Sequence, residues 1–315
     1  MIPVELIDPL TFFASYTFRT MLIGTALVGV ASSMLGAFLY LTKQSLISDV
    51  MGHSATSGVT LAFIVAAGLF AVDGRSMLVL TLGSIITSTL AVLLANAISV
   101  HSRIGIDAAM VICLALFYGG GMVLLRVITH STLPNRGGID KYMFGNAATL
   151  THEDLITAAC FAAFALIVMC VGWKELKIFA FDPIHAQTLG FSPKLIRFIL
   201  LGAASVAVII GIKAVGLILV VAFAITPAAA ARQWTHRLST MVLLSGIFGG
   251  SAGVIGSYIS VNFGKVPTGP VIVLVLAIIL LVSLFAAPQR SVIRRHSERM
   301  RQRRALLAQV TGGTH

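Results

Sequence analysis

Charge is scarce in this 315-residue chain: Asp, Glu, Lys and Arg make up 10% of it against 57% hydrophobic residues, and the mean hydropathy is +0.98. A soluble domain carries about 25% charged residues, so that class is excluded and a polytopic membrane protein remains. Cysteine is nearly absent. Cys113, Cys160 and Cys170 fall inside apolar runs without paired or metal-type spacing, so no disulfide framework is implied and all three are expected to be small packing residues. There is no Gly-x-x-x-x-Gly-Lys-Ser/Thr phosphate loop, which excludes a nucleotide site of that kind. The absence of His-Glu-x-x-His and of a membrane-placed pair of catalytic aspartates argues against an intramembrane enzyme. The first charges, Glu5 and Asp8, are acidic, so no cleaved secretory signal is expected.

What is present is a series of apolar runs, each close to the ~20 residues needed to cross a bilayer. They lie near 17–41, 54–72, 77–99, 105–127, 154–173, 195–212, 214–231, 238–261 and 270–287. An all-α protein with eight or nine transmembrane helices is expected. The open point is Gly211-Ile-Lys-Ala-Val-Gly216, where two segments meet either as two full spans or as a broken pair of half-helices. Lys213 there is expected to snorkel to the external interface.

One alternating assignment gathers Lys43, Arg103, Lys174, Lys177, Lys194, Arg197, Arg232, Arg237 and the arginine tail on a single side, which the positive-inside rule makes cytoplasmic. The net charge of +11 owes much to that tail, from Arg290 to Arg304, so its expected contact is anionic lipid and not nucleic acid. Residues 1–288 thus read as a membrane domain and 289–315 as a basic cytoplasmic tail. Two loops exceed mere connections. The external one runs around Pro134–Gly145. The internal one, about 174–193, carries Asp182 before Pro183 as a helix start and Gly190 as a stop, the marks of a capped docking helix.

The most informative residues are Asp49 and His53. Ionisable groups in a membrane segment cost about 2.5–3.5 kcal/mol each on insertion scales, so function is their default reading. Ser45, Asp49, His53 and Ser57 recur every four residues and would form one polar ridge on a helix. The plain alternative is a pair that caps a helix end and meets interfacial water. Asp107 at a helix start fits dipole stabilisation, with an ion role as a second reading. His101, His130, His152, His185 and His236 are expected in solvated loops, with His130, His152 and Asp140 as an alternative external entry site. The glycines Gly119–Gly121 and the small residues Gly249–Gly253 read as close-packing surfaces.

Four stretches together resemble the permease subunits of ATP-binding-cassette importers for manganese, zinc and iron. Ser48-Asp-Val-Met-Gly-His-Ser-Ala-Thr-Ser-Gly-Val59 is similar to that family's Gly-Asp-Ala-x-Ser-His-Ala-x-x-x-Gly-Val. Gly105-Ile-Asp-Ala-Ala-Met110 matches its acidic residue opening the next span. Phe181-Asp-Pro-x-x-Ala186 with Gly190 matches its ATPase-docking loop. The fourth is the run from Ala214 through Thr226-Pro227 to Arg232, with Pro267-Thr-Gly-Pro270 before the last span. Departures are Lys213, Asn146 after Phe144-Gly145, and the long arginine tail.

The resemblance implies a type II importer-like fold, dimeric around a central pathway, in a bacterial inner membrane. It implies no permanently bound cofactor and no ATPase of the chain's own. Its implied partners are ATPase subunits docked at Asp182, Pro183, Ala186 and Gly190, an external metal-binding protein, and a second permease copy or paralogue. Asp49 and His53 become the metal ligands, with Ser45, Ser57 and Asp107 as candidate contributors. The mixed oxygen and nitrogen set without thiolate suits Mn²⁺, with Zn²⁺ or Fe²⁺ also accommodated. The competing readings are a secondary transporter or channel for a small solute, and a siderophore or cobalamin permease of about ten spans.

Overall fold

A computed structural model describes residues 15–42, 45–68, 76–131, 150–263 and 266–287, and all regular structure among them is helical. The helices are α1 (Tyr16–Leu41), α2 (Ser45–Gly68), α3 (Met77–His101), α4 (Ile106–His130), α5 (His152–Val171), α6 (Trp173–Phe181), α7 (Pro183–Thr188), α8 (Pro193–Val215), α9 (Leu217–Trp234), α10 (Leu238–Asn262) and α11 (Thr268–Ala286). Among the described residues eight helices, α1 to α5, α8, α10 and α11, are long and apolar enough to cross a membrane. Lys43, Asp140, Asn146, the external loop and the tail of 289–315 lie outside the described residues, as do the side chains of Ser45 and Lys213.

The junction at Gly216 has a definite form. Gly216 has φ +86°, the left-handed region that glycine occupies without a Cβ penalty. Ser32 of α1 donates to the Ala207 carbonyl of α8 (2.8 Å), and its neighbour Ser33 donates to the Phe223 carbonyl of α9 (2.9 Å). Residues about equally far from Gly216 therefore sit side by side, so α8 and α9 form an antiparallel hairpin and are not stacked end to end. At 18 residues, α9 rises about 27 Å, and it is packed among α1, α8, α10 and α11. Of the two arrangements left open by the sequence, the structure has two full-length helices.

Lipid tails are as apolar as Leu, so helices in a bilayer associate through close packing and hydrogen bonds. The α1–α10 contact, among the most extensive between the described helices, shows both. Thr25 and Ser257 hydroxyls meet at 3.0 Å, and Ser245 donates to the Ser33 carbonyl (2.7 Å). A Cβ on Gly253 would stand 2.7 Å from the Thr25 carbonyl oxygen, so only glycine permits this approach. The expected packing role of Gly249–Gly253 is thus seen for Gly249 and Gly253. Around α1 also gather α5, α8 and α9, while α2, α3 and α4 form a second group joined to the first through α8 and α9.

The cysteines differ from expectation. Cys113 is buried in the core, but Cys160 and Cys170 are free thiols on the exposed face of α5, a helix that buries only one side. An apolar run cannot say which of its residues face the bundle and which face outward.

Gly253→Ala is expected to lower stability by about 1–3 kcal/mol through overpacking. Thermal unfolding in detergent should show a fall of several degrees, whereas Gly202→Ala, whose new methyl meets nothing within 4 Å, should leave the midpoint nearly unchanged.

Candidate metal centre and docking element

Helix α2 begins at Ser45, so the four-residue repeat does lie on one helical face. His53 Nε2 stands 3.3 Å from Asp49 Oδ1, and the two side chains are 25% and 36% exposed respectively. Both are therefore open on one side and held on the other. The Tyr118 ring of α4 packs edge-on against the imidazole, with centroids 5.0 Å apart and planes at 83°. His53 Nδ1 is buried and has no hydrogen-bond partner.

Behind this face α2 is fixed by α3. Ser88 donates to the Met51 carbonyl (2.6 Å), while Thr87 and Ser84, whose hydroxyls also reach carbonyls of their own helix, stand within hydrogen-bond distance of Ser54 (3.2 Å) and Ala55 (3.3 Å). These three contacts fall on the turn that carries His53. From the other side α4 approaches so closely that a Cβ on Gly121 would lie 2.6 Å from the Ser57 backbone nitrogen. Of the expected glycine surface only Gly121 makes this contact, since Gly119 and Gly120 face open space.

The remaining site candidates separate. Ser57 is buried beneath Gly121 and donates to its own helix at Ser54 (2.9 Å). Asp107 lies in the first turn of α4, where its charge complements the helix dipole, and lines a cavity together with Leu46 and Arg197. His101 ends α3, His130 ends α4 and His152 begins α5, while His185 is on α7 and not in a loop; these four and His236 are exposed. Among the described residues no group of three or more His, Cys, Asp or Glu converges. The described residues of one chain therefore bring two such ligands together, Asp49 and His53, short of the four to six that a divalent transition metal takes.

The internal loop folds into two helices where one was expected. In α6, Trp173 packs edge-on against Phe38 at 5.7 Å, which anchors the loop to α1. Asp182 then caps α7, accepting from the Ile184 and His185 amides at 3.0 and 2.9 Å, with Pro183 at the first helical position. At the other end Gly190 takes φ +85°, the Phe191 amide donates to the Ala186 carbonyl and the Gly190 amide to Gln187. That pair of bonds is a Schellman closure. Ala186 is fully buried, while Ile184 is 76% exposed and Leu189 52%. A six-residue helix is thus locked at both ends and presents apolar side chains outward.

A family model described as the ABC 3 transport family matches residues 14–287. The chain belongs to the ABC 3 transport family. It is 35% identical over 300 residues to the zinc transport system membrane protein TroC of Treponema pallidum, covering 95% of this chain and 98% of that one. It is 37% identical over 283 residues to the manganese transport system membrane protein MntC of Bacillus subtilis, covering 90% of this chain and 64% of that one. Among solved structures, PsaBC from Streptococcus pneumoniae in complex with Fab aligns with a TM-score of 0.80 at 28% identity, over 91% of this chain and 98% of that one.

For this ABC 3 chain, sequence reasoning missed Tyr118 and the α3 hydroxyls. Ser84, Thr87 and Ser88 recur at helical spacing opposite the hydroxyl-rich stretch Ser54–Thr60, a signal for interhelical hydrogen bonding. Tyr118 left no comparable mark, because its contact is between helices about 65 residues apart in sequence.

Asp182→Ala is expected to cost about 1 kcal/mol of local stability. Hydrogen exchange of the Ile184 and His185 amides in membrane-reconstituted protein should quicken about fivefold, and Gly190→Ala should act in the same direction.

Proposed function

We propose that this chain is the permease subunit of an ATP-driven importer that carries a divalent transition metal, Mn²⁺ by preference and Zn²⁺ otherwise, into a bacterial cell. The observation that carries the reading is the Asp49–His53 pair, two hard-to-borderline ligands open on one face of a helix that two neighbours hold from behind. Two ligands are too few, and a two-fold partner would supply the same pair across the axis, giving two carboxylates and two imidazoles around one ion. That second copy is this chain again or a close paralogue. A carboxylate offsets the ion's charge while the sparse ligation leaves the ion free to depart. Two of the relatives are named for manganese or zinc transport, and none of the three compared is named for iron.

Orientation follows the distribution of Lys and Arg, with the docking element and the C-terminal tail cytoplasmic. The energy then comes from a separate ATPase subunit seated on α7. The apolar outward face of α7 and its two flanks, with Phe181, Ile184 and Leu189 each more than half exposed, has the rigidity and hydrophobic content of a protein-docking surface. A secondary transporter would have no use for such an element. Metal arrives from an external binding protein at the opposite mouth.

The test is ATP-dependent metal accumulation in vesicles holding the full complex, with Mn²⁺, Zn²⁺ and Fe²⁺ in competition. Asp49→Ala and His53→Ala are each expected to abolish uptake while ATPase co-purification persists. Unchanged uptake in both would make the pair structural.

A further inference from the structure

At one end of the bundle the start of α2, the end of α3, the start of α4 and the second turn of α8 border a half-open cavity of about 330 Å³, with Asp107 at its exposed edge. Neither Asp49, His53 nor any residue of the docking helix is among its lining residues. Four polar side chains line it: Asn96 and Ser99 from α3, Asp107 from α4 and Arg197 from α8, with Leu46 and Met110 supplying apolar wall. None of the four polar groups has a hydrogen-bond or ion-pair partner among the described residues. A guanidinium and a carboxylate thus face one small space without meeting each other.

The lining constrains the ligand. Arg197 opposes a bare cation and Asp107 opposes a bare anion, so the complementary molecule carries both signs. Guanidinium is the side chain best suited to a phosphate, and a carboxylate with an amide and a hydroxyl beside it is suited to a primary ammonium with three donors. The volume is at the small end of the ~300–1,000 Å³ of ligand pockets, the scale of a short polar group and not of a nucleotide.

The route into the cavity identifies the source. Val100 lines the cavity and is 69% exposed. From it a stripe of Leu93, Leu90, Ile86 and Leu82, each 44–65% exposed, runs along α3 at helical spacing. An apolar track on a membrane helix that ends in a two-signed cavity at the helix termini matches one amphiphile: acyl chain along the track, head group in the cavity. The termini lie where phospholipid head groups lie. We propose that this cavity binds the head group of an aminophospholipid of the phosphatidylethanolamine type, with the phosphate at Arg197 and the ammonium at Asp107, Asn96 and Ser99. Phosphatidylcholine keeps the phosphate but has no ammonium N–H to donate, and phosphatidylglycerol has no cation, so both lack half of the match.

The test is native mass spectrometry of the full chain released from nanodiscs containing phosphatidylethanolamine, phosphatidylcholine and phosphatidylglycerol in equal amounts. Phosphatidylethanolamine is expected to be retained about tenfold over the other two, the size of one charge-assisted hydrogen bond. Arg197→Gln and Asp107→Asn should each remove that preference; neither side chain has an intramolecular partner to lose, so both variants should fold. Arg126→Gln, on the opposite part of α4, should retain it. Displacement of the lipid by soluble phosphoethanolamine in the wild type and not in Arg197→Gln would support the head-group assignment. Equal retention of the three lipids, or wild-type preference in both cavity variants, would overturn it. A thermal-shift series with the same lipids provides a second readout, with stabilisation by phosphatidylethanolamine absent from both variants.

Discussion

The Ser88 hydroxyl donates across to the Met51 carbonyl, Thr87 and Ser84 stand within hydrogen-bond reach of the Ser54 and Ala55 carbonyls, and this seam between α3 and α2 fixes the turn that carries His53. In a bilayer no hydrophobic force presses helices together, so such bonds and close backbone approach have to supply the rigidity. Gly121 adds the second element by letting α4 close on Ser57, which places Tyr118 against the imidazole. The result is an ionisable pair that neither collapses into the bundle nor swings free. Its cost of insertion is met by mutual contact and by partial exposure.

The same helix relates the site to the proposed ATPase seat. Four residues after α7 the chain enters α8, which packs against α1, α2, α3 and α5. A displacement of the locked docking helix therefore passes into an element that touches both sides of the seam. Asp182 and the Schellman closure at Gly190 matter for that reason, since a frayed helix would absorb the movement itself. The buried Ala186 holds the element to the body of the protein while Ile184 and Leu189 remain outside.

What the sequence made legible was local. Most span limits followed from apolar runs, although α2 begins at Ser45 and not near 54, because its polar first turns carry Asp49 and His53 into the helix; the caps of α7 followed from Asp182, Pro183 and Gly190, because each is a property of neighbouring residues. The ridge of Asp49 and His53 was readable from its four-residue period. What escaped depends on contacts between distant segments. The folding back of α9 on α8 is decided by Ser32 and Ser33 of α1, the outward placement of Cys160 and Cys170 by the packing of α5, and the position of Tyr118 by the glycine contact of α4. Asp107 illustrates the limit best: the helix start was visible, but its position opposite Arg197 across a cavity was not.

The central claim is that one ion is held between two copies of the Asp49–His53 ridge. Pulsed electron paramagnetic resonance of Mn²⁺ bound to the assembled complex tests it directly, because nitrogen hyperfine coupling reports imidazole ligation and metal titration gives stoichiometry. One Mn²⁺ per two permease chains is expected, with nitrogen coupling that disappears in His53→Gln. One ion per chain, or nitrogen coupling that survives that substitution, would contradict the account.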